Sequence, residues 1–242
     1  MFVANILIAV VFAVATVDIA SAGNNTVTDE VYFDIKVHST EDEPKNKSIK
    51  LTLSDWTGRF VVGVFGEALP ISAMNFISLA NGYKHRDEKW HYKNNLVHLV
   101  IPDHLIQTGD VLYRDGRGGR SIYSRYFIDE AFIQSHRAPG YVGMVSSGVD
   151  MNDSQFYVTL AKARWMDGRH VIIGKIVKGM EVIRQVGELE VDEASRPKRR
   201  IEIIGSGAQK LKVPYDLSQA QLESGNDIKS SVMTPDEPVG SK

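Results

Sequence analysis

The sequence has 242 residues, with 28 Lys and Arg against 30 Asp and Glu, and its formal net charge of −2 argues against a nucleic-acid-binding protein. Its 43% hydrophobic and 24% charged residues are typical of a globular protein and argue against wholesale disorder or a polytopic membrane protein. It has no cysteine, which excludes disulfide bonds, thiolate metal sites and cysteine nucleophiles.

The N-terminal segment is the only long apolar run of the chain. It extends from Phe2 to Val17, and the small residues Ala20 and Ala22 follow in the spacing that signal peptidase recognises. The run is short for a membrane-spanning helix, which favours a cleaved signal. The absence of Lys or Arg before the run counts against a signal. Residues 1–22 are therefore predicted to be a cleaved secretory signal, with an uncleaved anchor as the alternative. We expect the protein in the endoplasmic reticulum lumen or outside the cell.

Three Asn-x-Ser/Thr tripeptides, at Asn24, Asn46 and Asn152, are candidate glycosylation sites in that compartment. Such tripeptides also arise by chance. Asn24 and Asn46 lie in polar stretches and are the better candidates of the three.

Alternating apolar and polar residues predict β-strands along most of the chain. In Val31 to Val37 the apolar side chains share one face, as in a half-buried strand. Similar β-branched or aromatic runs, bounded by Gly, Pro, Asp or Asn, are Phe60 to Phe65, Leu96 to Ile101, Gln155 to Leu160, Val171 to Val177 and Ile201 to Ile204.

Two segments have helical rather than strand character. Residues Pro70 to Ala80 begin with proline and end before Asn-Gly, and Met180 to Val186 resembles a shorter helix. Many strands with two helices and no strand–helix alternation favour an antiparallel barrel or sandwich. The polar residues 208–242 are predicted to form a disordered tail.

Motifs for common catalytic centres are missing from the sequence. It has no Gly-x-Ser-x-Gly elbow and no His-x-x-x-His pair, and the Gly-rich stretch 115–120 lacks the spacing of a phosphate-binding loop. We therefore predict no metal site and no cofactor, and interpret the Gly-rich stretch as a surface loop.

Several ordered blocks nevertheless resemble the central part of the cyclophilin family. They are VHLVIP at 97–102, QTGD at 107–110, GRGGRSIY at 116–123, PGYVGM at 139–144, NDSQFY at 152–157 and WMDGRHVIIGK at 165–175. The similarity covers Val27 to Gly207, and the general resemblance is to the signal-bearing, secretory branch of the family.

The resemblance implies a mostly β fold, an eight-stranded antiparallel barrel capped by two α-helices, with a proline-binding groove on its outer face. It also implies isomerisation of Xaa–Pro peptide bonds, whose uncatalysed rotation takes tens to hundreds of seconds. The expected partners are proline-containing peptides or client proteins, and cyclosporin with weakened affinity. We expect a monomer.

Part of the groove implied by the resemblance is present. Gln107 matches the glutamine that anchors a substrate carbonyl. The other matching positions are Leu105, Met166 and Tyr157 in the apolar floor, where Tyr157 adds a hydroxyl to the usual phenylalanine, together with Gly116, Gln155, Trp165 and His170.

Other positions depart from the family pattern. Leu99 stands where the family has the arginine that donates to the prolyl nitrogen, and His104 replaces an aromatic phenylalanine of the proline pocket. Val145, Ser146 and Ser147 replace the Ala-Asn-Ala edge that binds the peptide. These residues also have purely structural interpretations: Leu99 as an apolar residue of an alternating strand, Trp165 as a core aromatic, and His170 as a hydrogen-bonded histidine of the pocket wall.

Two hypotheses follow from this mixture. The first is a working but weak peptidyl-prolyl isomerase that assists protein folding in the secretory pathway, because leucine has no N–H and the loss of one preorganised donor costs about 10²–10³ in rate in other enzymes. The second is an inactive proline-peptide binding module or client-specific chaperone that retains the groove.

Overall fold

The computed structural model describes residues 24–39 and 54–228. The predicted signal at 1–22 and the tripeptide at Asn46 lie outside these residues.

Eight of the ten strands in the described ranges form one antiparallel sheet. They are β1 (Thr26–Val37), β2 (Trp56–Val64), β5 (Leu99–Ile101), β6 (Leu105–Thr108), β7 (Tyr141–Ser146), β8 (Asn152–Thr159), β9 (Ile172–Lys178) and β10 (Ile201–Asp216). Their order across the sheet is β10-β1-β2-β9-β7-β8-β6-β5. Strands β3 (Tyr83–His85) and β4 (Glu88–Trp90) pair with each other in a separate hairpin.

The sheet closes into a barrel where the start of β10 meets the segment before β5. Leu96 and Glu202 form an antiparallel bridge. The N–H of Val97 donates to Ile201 O at 3.0 Å, and the N–H of Ile203 donates to Asn95 O at 2.9 Å. The mostly β, eight-stranded barrel expected from the sequence is confirmed.

The interior of the barrel is filled by the inward faces of alternating strands. Phe33 of β1 lies at its centre, with its ring centroid 5.0 Å from Phe60, 5.2 Å from Phe156 and 5.7 Å from both Phe76 and Tyr92. All five side chains are buried. Because Phe156 points inward, its neighbour Tyr157 points to the outer face.

Two helices cover the barrel, as expected. Helix α1 (Pro70–Asn81) begins with a proline at its first turn, and the Glu130 carboxylate accepts from the N–H groups of Ile71 and Ser72 at 2.9 and 2.8 Å. This carboxylate satisfies donors that the helix itself leaves unpaired. Helix α2 (Met180–Gly187) follows Gly179, which has a left-handed backbone.

No helix among the residues that the structure describes is long and apolar enough to cross a membrane.

The prediction of a disordered tail from residue 208 was wrong as far as residue 228. Strand β10 continues to Asp216 along β1, and a short helix α3 (Gln219–Glu223) begins with a capping box between Ser218 and Gln221. Leu222 and Ile228 are buried against the barrel. The segment looks polar in sequence because only scattered apolar side chains anchor it.

Candidate functional site

One rung of residues crosses four neighbouring strands on the outer face of the barrel. Leu99 of β5 is in register with Gln107 of β6, Gln107 with Tyr157 of β8, and Tyr157 with Gly143 of β7. Residues opposite each other in antiparallel strands project to the same face. The rung therefore brings together Gln107, the predicted carbonyl anchor, Tyr157 of the predicted apolar floor, and Leu99, which replaces the arginine of the family.

An apolar cluster surrounds this rung. Leu105, Tyr157 and Met166 are buried in it together with Ala163, which sequence analysis missed, and the half-buried side chains of Leu99, Ile101 and Val145 pack against it. Leu105, Tyr157 and Met166 are the three floor residues expected from the resemblance. The cluster forms an apolar surface of the kind that a proline ring requires.

The Tyr157 hydroxyl lies beneath the floor, where it contacts the buried ring of His136. Its oxygen is 2.7 Å from His136 Nε2, and His136 Nδ1 is 2.8 Å from the Asp167 carboxylate. Burial lowers the pKa of His136, which favours the neutral ring, and burial raises the pKa of Tyr157. In the neutral ring Nδ1–H donates to Asp167, and Nε2 accepts from the tyrosine hydroxyl. Tyr157 thus contributes its apolar ring to the groove, while its hydroxyl points away from the groove.

Asp167 fixes the position of the His136 ring beneath Tyr157. Burial opposes its ionisation, but hydrogen bonds from the Ser135 hydroxyl, the N–H and ring of His136, and Arg164 outweigh burial and hold the pKa of Asp167 well below its usual value. Asp167 is therefore a permanent anion next to His136 at neutral pH. No local sequence pattern indicates the contact between His136 and Asp167, since the two residues are 31 positions apart.

A chain of amides connects the rung to the Gly-rich loop. Gln107 Nε2 donates to Gln155 Oε1 at 3.0 Å, and Gln155 Nε2 donates to the carbonyls of Gly116 and Gly118. Because the Gln107 amide has two N–H groups, one remains to donate to a ligand. Gln155 and Gly116 thus orient Gln107.

Asp110, which is buried, holds the Gly-rich loop in its shape. Its carboxylate accepts from the backbone N–H groups of Leu112, Tyr113, Gly116 and Gly118 at 2.9–3.0 Å. Burial opposes ionisation, but these bonds outweigh it and keep the pKa of Asp110 below its ordinary value. The loop is an ordered surface loop, as the sequence predicted.

His104 and Trp165 form one rim of the groove. Their rings stack with centroids 5.0 Å apart and planes inclined by 27°. Trp165 stands on a 3-10 helix (Arg164–Met166) and is 64% exposed, so it is not a core aromatic. Burial lowers the pKa of His104, which is therefore neutral at neutral pH.

The opposite edge is formed by His170 and the end of β7. The His170 ring meets Tyr157 edge-on, with centroids 5.5 Å apart, and its Nδ1 lies 3.3 Å from Met144 O. Val145 and Ser146 are half-buried, whereas Ser147 is exposed. Beyond them lies a cavity of about 610 Å³ that Ser146, Ser147 and His170 also line.

The structure argues against Asn152 as a glycan acceptor. Its side chain is fully buried, and its Nδ2 donates to Asp129 Oδ1 at 2.7 Å and to Phe127 O at 3.3 Å. A sugar on this nitrogen has no room in the folded barrel. Asn24, by contrast, lies in a turn and is half-buried.

Comparison with known proteins identifies related chains over most of the sequence. Residues 48–208 match the family model described as cyclophilin type peptidyl-prolyl cis-trans isomerase/CLD. Peptidyl-prolyl cis-trans isomerase D of Saccharomyces cerevisiae is 35% identical over 200 residues, which are 83% of this chain and 80% of the yeast protein.

Two animal proteins are similar to the same region. Peptidyl-prolyl cis-trans isomerase 9 of Caenorhabditis briggsae is 39% identical over 154 residues, 62% of this chain but only 49% of the nematode protein. The rhodopsin-specific isozyme of peptidyl-prolyl cis-trans isomerase from Calliphora vicina is 33% identical over 195 residues, 79% of this chain and 74% of the blowfly protein.

Proposed function

Because the chain belongs to the cyclophilin-type peptidyl-prolyl cis-trans isomerase family, we propose that it binds Xaa–Pro segments in the groove over Tyr157 and isomerises them slowly. The observation that carries this proposal is the rung of Leu99, Gln107 and Tyr157. It combines an apolar floor and an amide anchor with a side chain that has no hydrogen-bond donor.

The proposed reaction makes and breaks no covalent bond. The barrier of about 18–20 kcal/mol comes from amide resonance, and a catalyst lowers it by binding the twisted amide better than either planar form. The proline ring packs over Tyr157, Leu105 and Met166, while the free N–H of Gln107 donates to a substrate carbonyl. These contacts hold both sides of the rotating bond.

The missing element is a donor to the prolyl nitrogen, which becomes an acceptor only when the amide twists. Leu99 contacts the apolar cluster and has no N–H to supply. Removing one preorganised donor costs about 10²–10³ in rate in other enzymes, and we expect a deficit of this size here.

A second candidate function is a proline-peptide binding module or client-specific chaperone. The packing of Leu99 into the floor favours it, since this contact helps binding and does nothing for the twisted state. The blowfly relative is named as a rhodopsin-specific isozyme, which supports a role restricted to few clients.

Exchange NMR on a short Xaa–Pro peptide separates the two candidates. We expect cross-peaks between the cis and trans forms to grow upon addition of the protein, and to weaken in Gln107→Ala. Chemical-shift changes without faster exchange would support the binding module. No shift change at millimolar peptide would contradict both functions, because even weak binding is visible at that concentration.

We further propose that the protein works in the secretory pathway, as a divergent member of the signal-bearing branch. The apolar run and the small residues at 20 and 22 support this location. Intact mass of the secreted or luminal protein is expected to give Gly23 as the first residue, and glycosidase treatment to lower the mass through Asn24 or Asn46. Recovery of residues 1–22 in the membrane would favour the anchor instead.

Cyclosporin binding is proposed with reduced affinity. The exposed Trp165 favours it, whereas His104 and Val145 change the shape and polarity of the groove. Titration followed by tryptophan fluorescence is expected to saturate above the micromolar range, and saturation at nanomolar cyclosporin would contradict this expectation.

A further inference from the structure

A cationic cleft of about 560 Å³ lies next to the groove, between the Gly-rich loop and the segment before β10. Among the residues that the structure describes, its lining has one acidic side chain, Asp115. The basic side chains that line it are Arg114, Arg117, Arg196, Lys198, Arg199 and Arg200. Because the whole chain has a formal net charge of −2, this cluster of positive charges is a local feature of the surface.

The cleft and the groove share a wall. The carbonyl of Gly116 accepts from Gln155 on the groove side, while His98 lines the cleft and packs so closely beneath Gly116 that a Cβ there would overlap the imidazole. His98 is also the direct neighbour of Leu99 in the chain. A peptide that leaves the groove over Gly116 therefore passes directly into the cleft.

The wall opposite the Gly-rich loop is the segment 195–201, which is hydrogen-bonded to the region around β5. The N–H of Val100 donates to Ser195 O at 2.9 Å, and the N–H of Val97 donates to Ile201 O at 3.0 Å. The turn that carries Arg196 is closed by Asp192, whose carboxylate accepts from the Arg196 N–H at 2.8 Å. The two walls thus keep a constant spacing relative to Leu99.

Four of the six cations already have partners. Arg117 pairs with Asp115 at 2.6 Å, Lys198 with Glu190 at 3.1 Å and Arg200 with Glu202 at 3.1 Å. The fourth, Arg199, is buried and donates to the backbone carbonyls of His38 and Ser54 at 2.9 and 2.8 Å.

Arg114 and Arg196 are the other two cations of the cleft. Within residues 24–39 and 54–228, neither guanidinium forms an ion pair, and the two side chains come from opposite walls of the cleft. Arg114 also has a left-handed backbone, with φ of 66°, which a long side chain seldom adopts. Two planar guanidinium groups facing one space suit a carboxylate or phosphate, which accept paired N–H donors.

We propose that this cleft is an anion subsite of the groove, which binds a carboxylate or phosphate group on the same peptide whose proline lies over Tyr157. This inference rests on the proposed binding of Xaa–Pro segments and specifies their class: acidic or phosphorylated proline-containing clients. Arg114 and Arg196 supply the contacts to the anion. The ion pairs of Arg117, Lys198 and Arg200 keep the remaining cations in place around it.

The test is a peptide scan on the mature protein. Peptides with one proline carry Glu, phosphoserine or Gln at each of the four positions on either side, and their affinities are measured by NMR titration. At one spacing from the proline, we expect the Glu peptide to bind about five- to twenty-fold more tightly than the Gln peptide, because two partly exposed charge contacts supply a gain of this size. The phosphoserine peptide is expected to bind at least as tightly as the Glu peptide. The gain is expected to shrink at 0.5 M salt, because partly exposed charges are screened.

The variant Arg114→Gln with Arg196→Gln is expected to bring the Glu-to-Gln affinity ratio close to one. The matched control, Lys210→Gln with Lys212→Gln, removes the same charge from exposed positions of β10 about 30 Å along the strand from Ile201, and is expected to keep the ratio. Equal loss of the ratio in both variants would reduce the effect to net charge and overturn the subsite.

The outcomes separate this inference from the proposed function. If the Gln peptides bind and no position favours Glu or phosphoserine by more than two-fold, the subsite is wrong and the groove stands. If acidic peptides without proline bind as tightly as those with proline, the cleft binds anions independently of the groove, which contradicts the proposal of a shared ligand.

Discussion

Gly143 lies directly opposite Tyr157 in the antiparallel pair of β7 and β8, and a Cβ on Gly143 would overlap the tyrosine hydroxyl and the ring carbon that bears it. A tyrosine fits in the floor of the groove because its neighbour has no side chain. The hydroxyl then passes beneath the floor to His136. The glycine at 143 and the hydroxyl of Tyr157 are thus structurally coupled.

Gly143→Ala is therefore expected to destabilise the barrel by about 1–3 kcal/mol, the usual cost of overpacking a well-packed site. Urea denaturation measures this change. Because part of the overlap is with the hydroxyl, the same substitution in a Tyr157→Phe background is expected to cost less, which a double-mutant cycle detects as coupling. Gly148→Ala is the control, since the Cβ there meets only the flexible side chain of Met151. Strict additivity of Gly143→Ala and Tyr157→Phe would contradict this explanation.

The fold could be predicted from the sequence where strands alternate or helices carry end signals. Val31 to Val37 and Pro70 to Ala80 are such cases, and both lie inside observed elements. Strand β7 was not recognised from its pattern, because its first four residues are buried on both faces and show no alternation. The order from residue 208 to the end of α3 was missed for a different reason, since its few buried side chains, such as Leu211 and Leu222, are scattered among exposed polar ones such as Lys210 and Lys212.

The site was predictable only where a motif carries it. The ordered blocks located Gln107, Tyr157 and Trp165, whereas no local pattern indicated that His136 and Asp167 support Tyr157 from below. The contact depends on strands and loops that are distant in sequence. Single-sequence reasoning has no access to such pairs until the topology is known.

Lys175 predicts a pH dependence of stability. Its side chain is 1% exposed, its Nζ donates to Pro139 O at 2.9 Å and lies 4.3 Å from the Tyr141 ring centroid, and burial lowers its pKa to about 8. Between pH 8 and about 10 the unfolded chain binds more protons than the folded one, so the free energy of unfolding is expected to rise. Above that range tyrosine ionisation reverses the trend, since burial raises the pKa of Tyr141 to about 12.

Lys175→Met is expected to abolish the rise and to increase the free energy of unfolding at pH 7 by about 2 kcal/mol, the penalty of the buried charge less the lost hydrogen bond to Pro139. Urea titrations at pH 7, 8, 9 and 10 measure both effects. Lys212→Met, at an exposed position, is expected to leave the slope with pH unchanged. A flat profile in the wild-type protein would show that Lys175 has an ordinary pKa.

His104→Phe is expected to increase affinity for Xaa–Pro peptides about three- to ten-fold. The imidazole on Trp165 loses water when a proline ring covers it, and phenylalanine has no polar group to desolvate. Burial lowers the pKa of His104, and the advantage is expected to widen when the pH falls below that lowered pKa and the ring gains charge. Calorimetric titration at pH 5.5 and 7.5 checks both effects.

A matched control for His104 lies in the hairpin of β3 and β4. His85 stacks on Trp90 with centroids 5.3 Å apart, outside the groove, so His85→Phe makes the same chemical change without touching the floor. It is expected to leave peptide affinity unaltered. An equal gain in both variants would trace the effect to overall stability rather than to the rim.

Leu99→Arg tests the missing donor. Leu99 is in register with Gln107 and packs on the apolar cluster, so the aliphatic part of an arginine can follow the same surface while its guanidinium reaches over the floor. The guanidinium meets the prolyl nitrogen as an acceptor only in the twisted amide. We expect kcat/KM for isomerisation to rise by about one to three powers of ten, with peptide affinity nearly unchanged.

Leu99→Met and Leu99→Lys define what an increase would mean. Methionine fills the space without an N–H and is expected to leave the rate at the wild-type level, whereas lysine adds charge without the planar fork of donors and is expected to gain less than arginine. A high rate in the wild-type protein would show that another group already donates to the prolyl nitrogen. If Leu99→Arg folds, binds the peptide and still isomerises no faster, the deficit does not originate at this position, and the altered rim at His104 or the edge at Ser146 becomes its source.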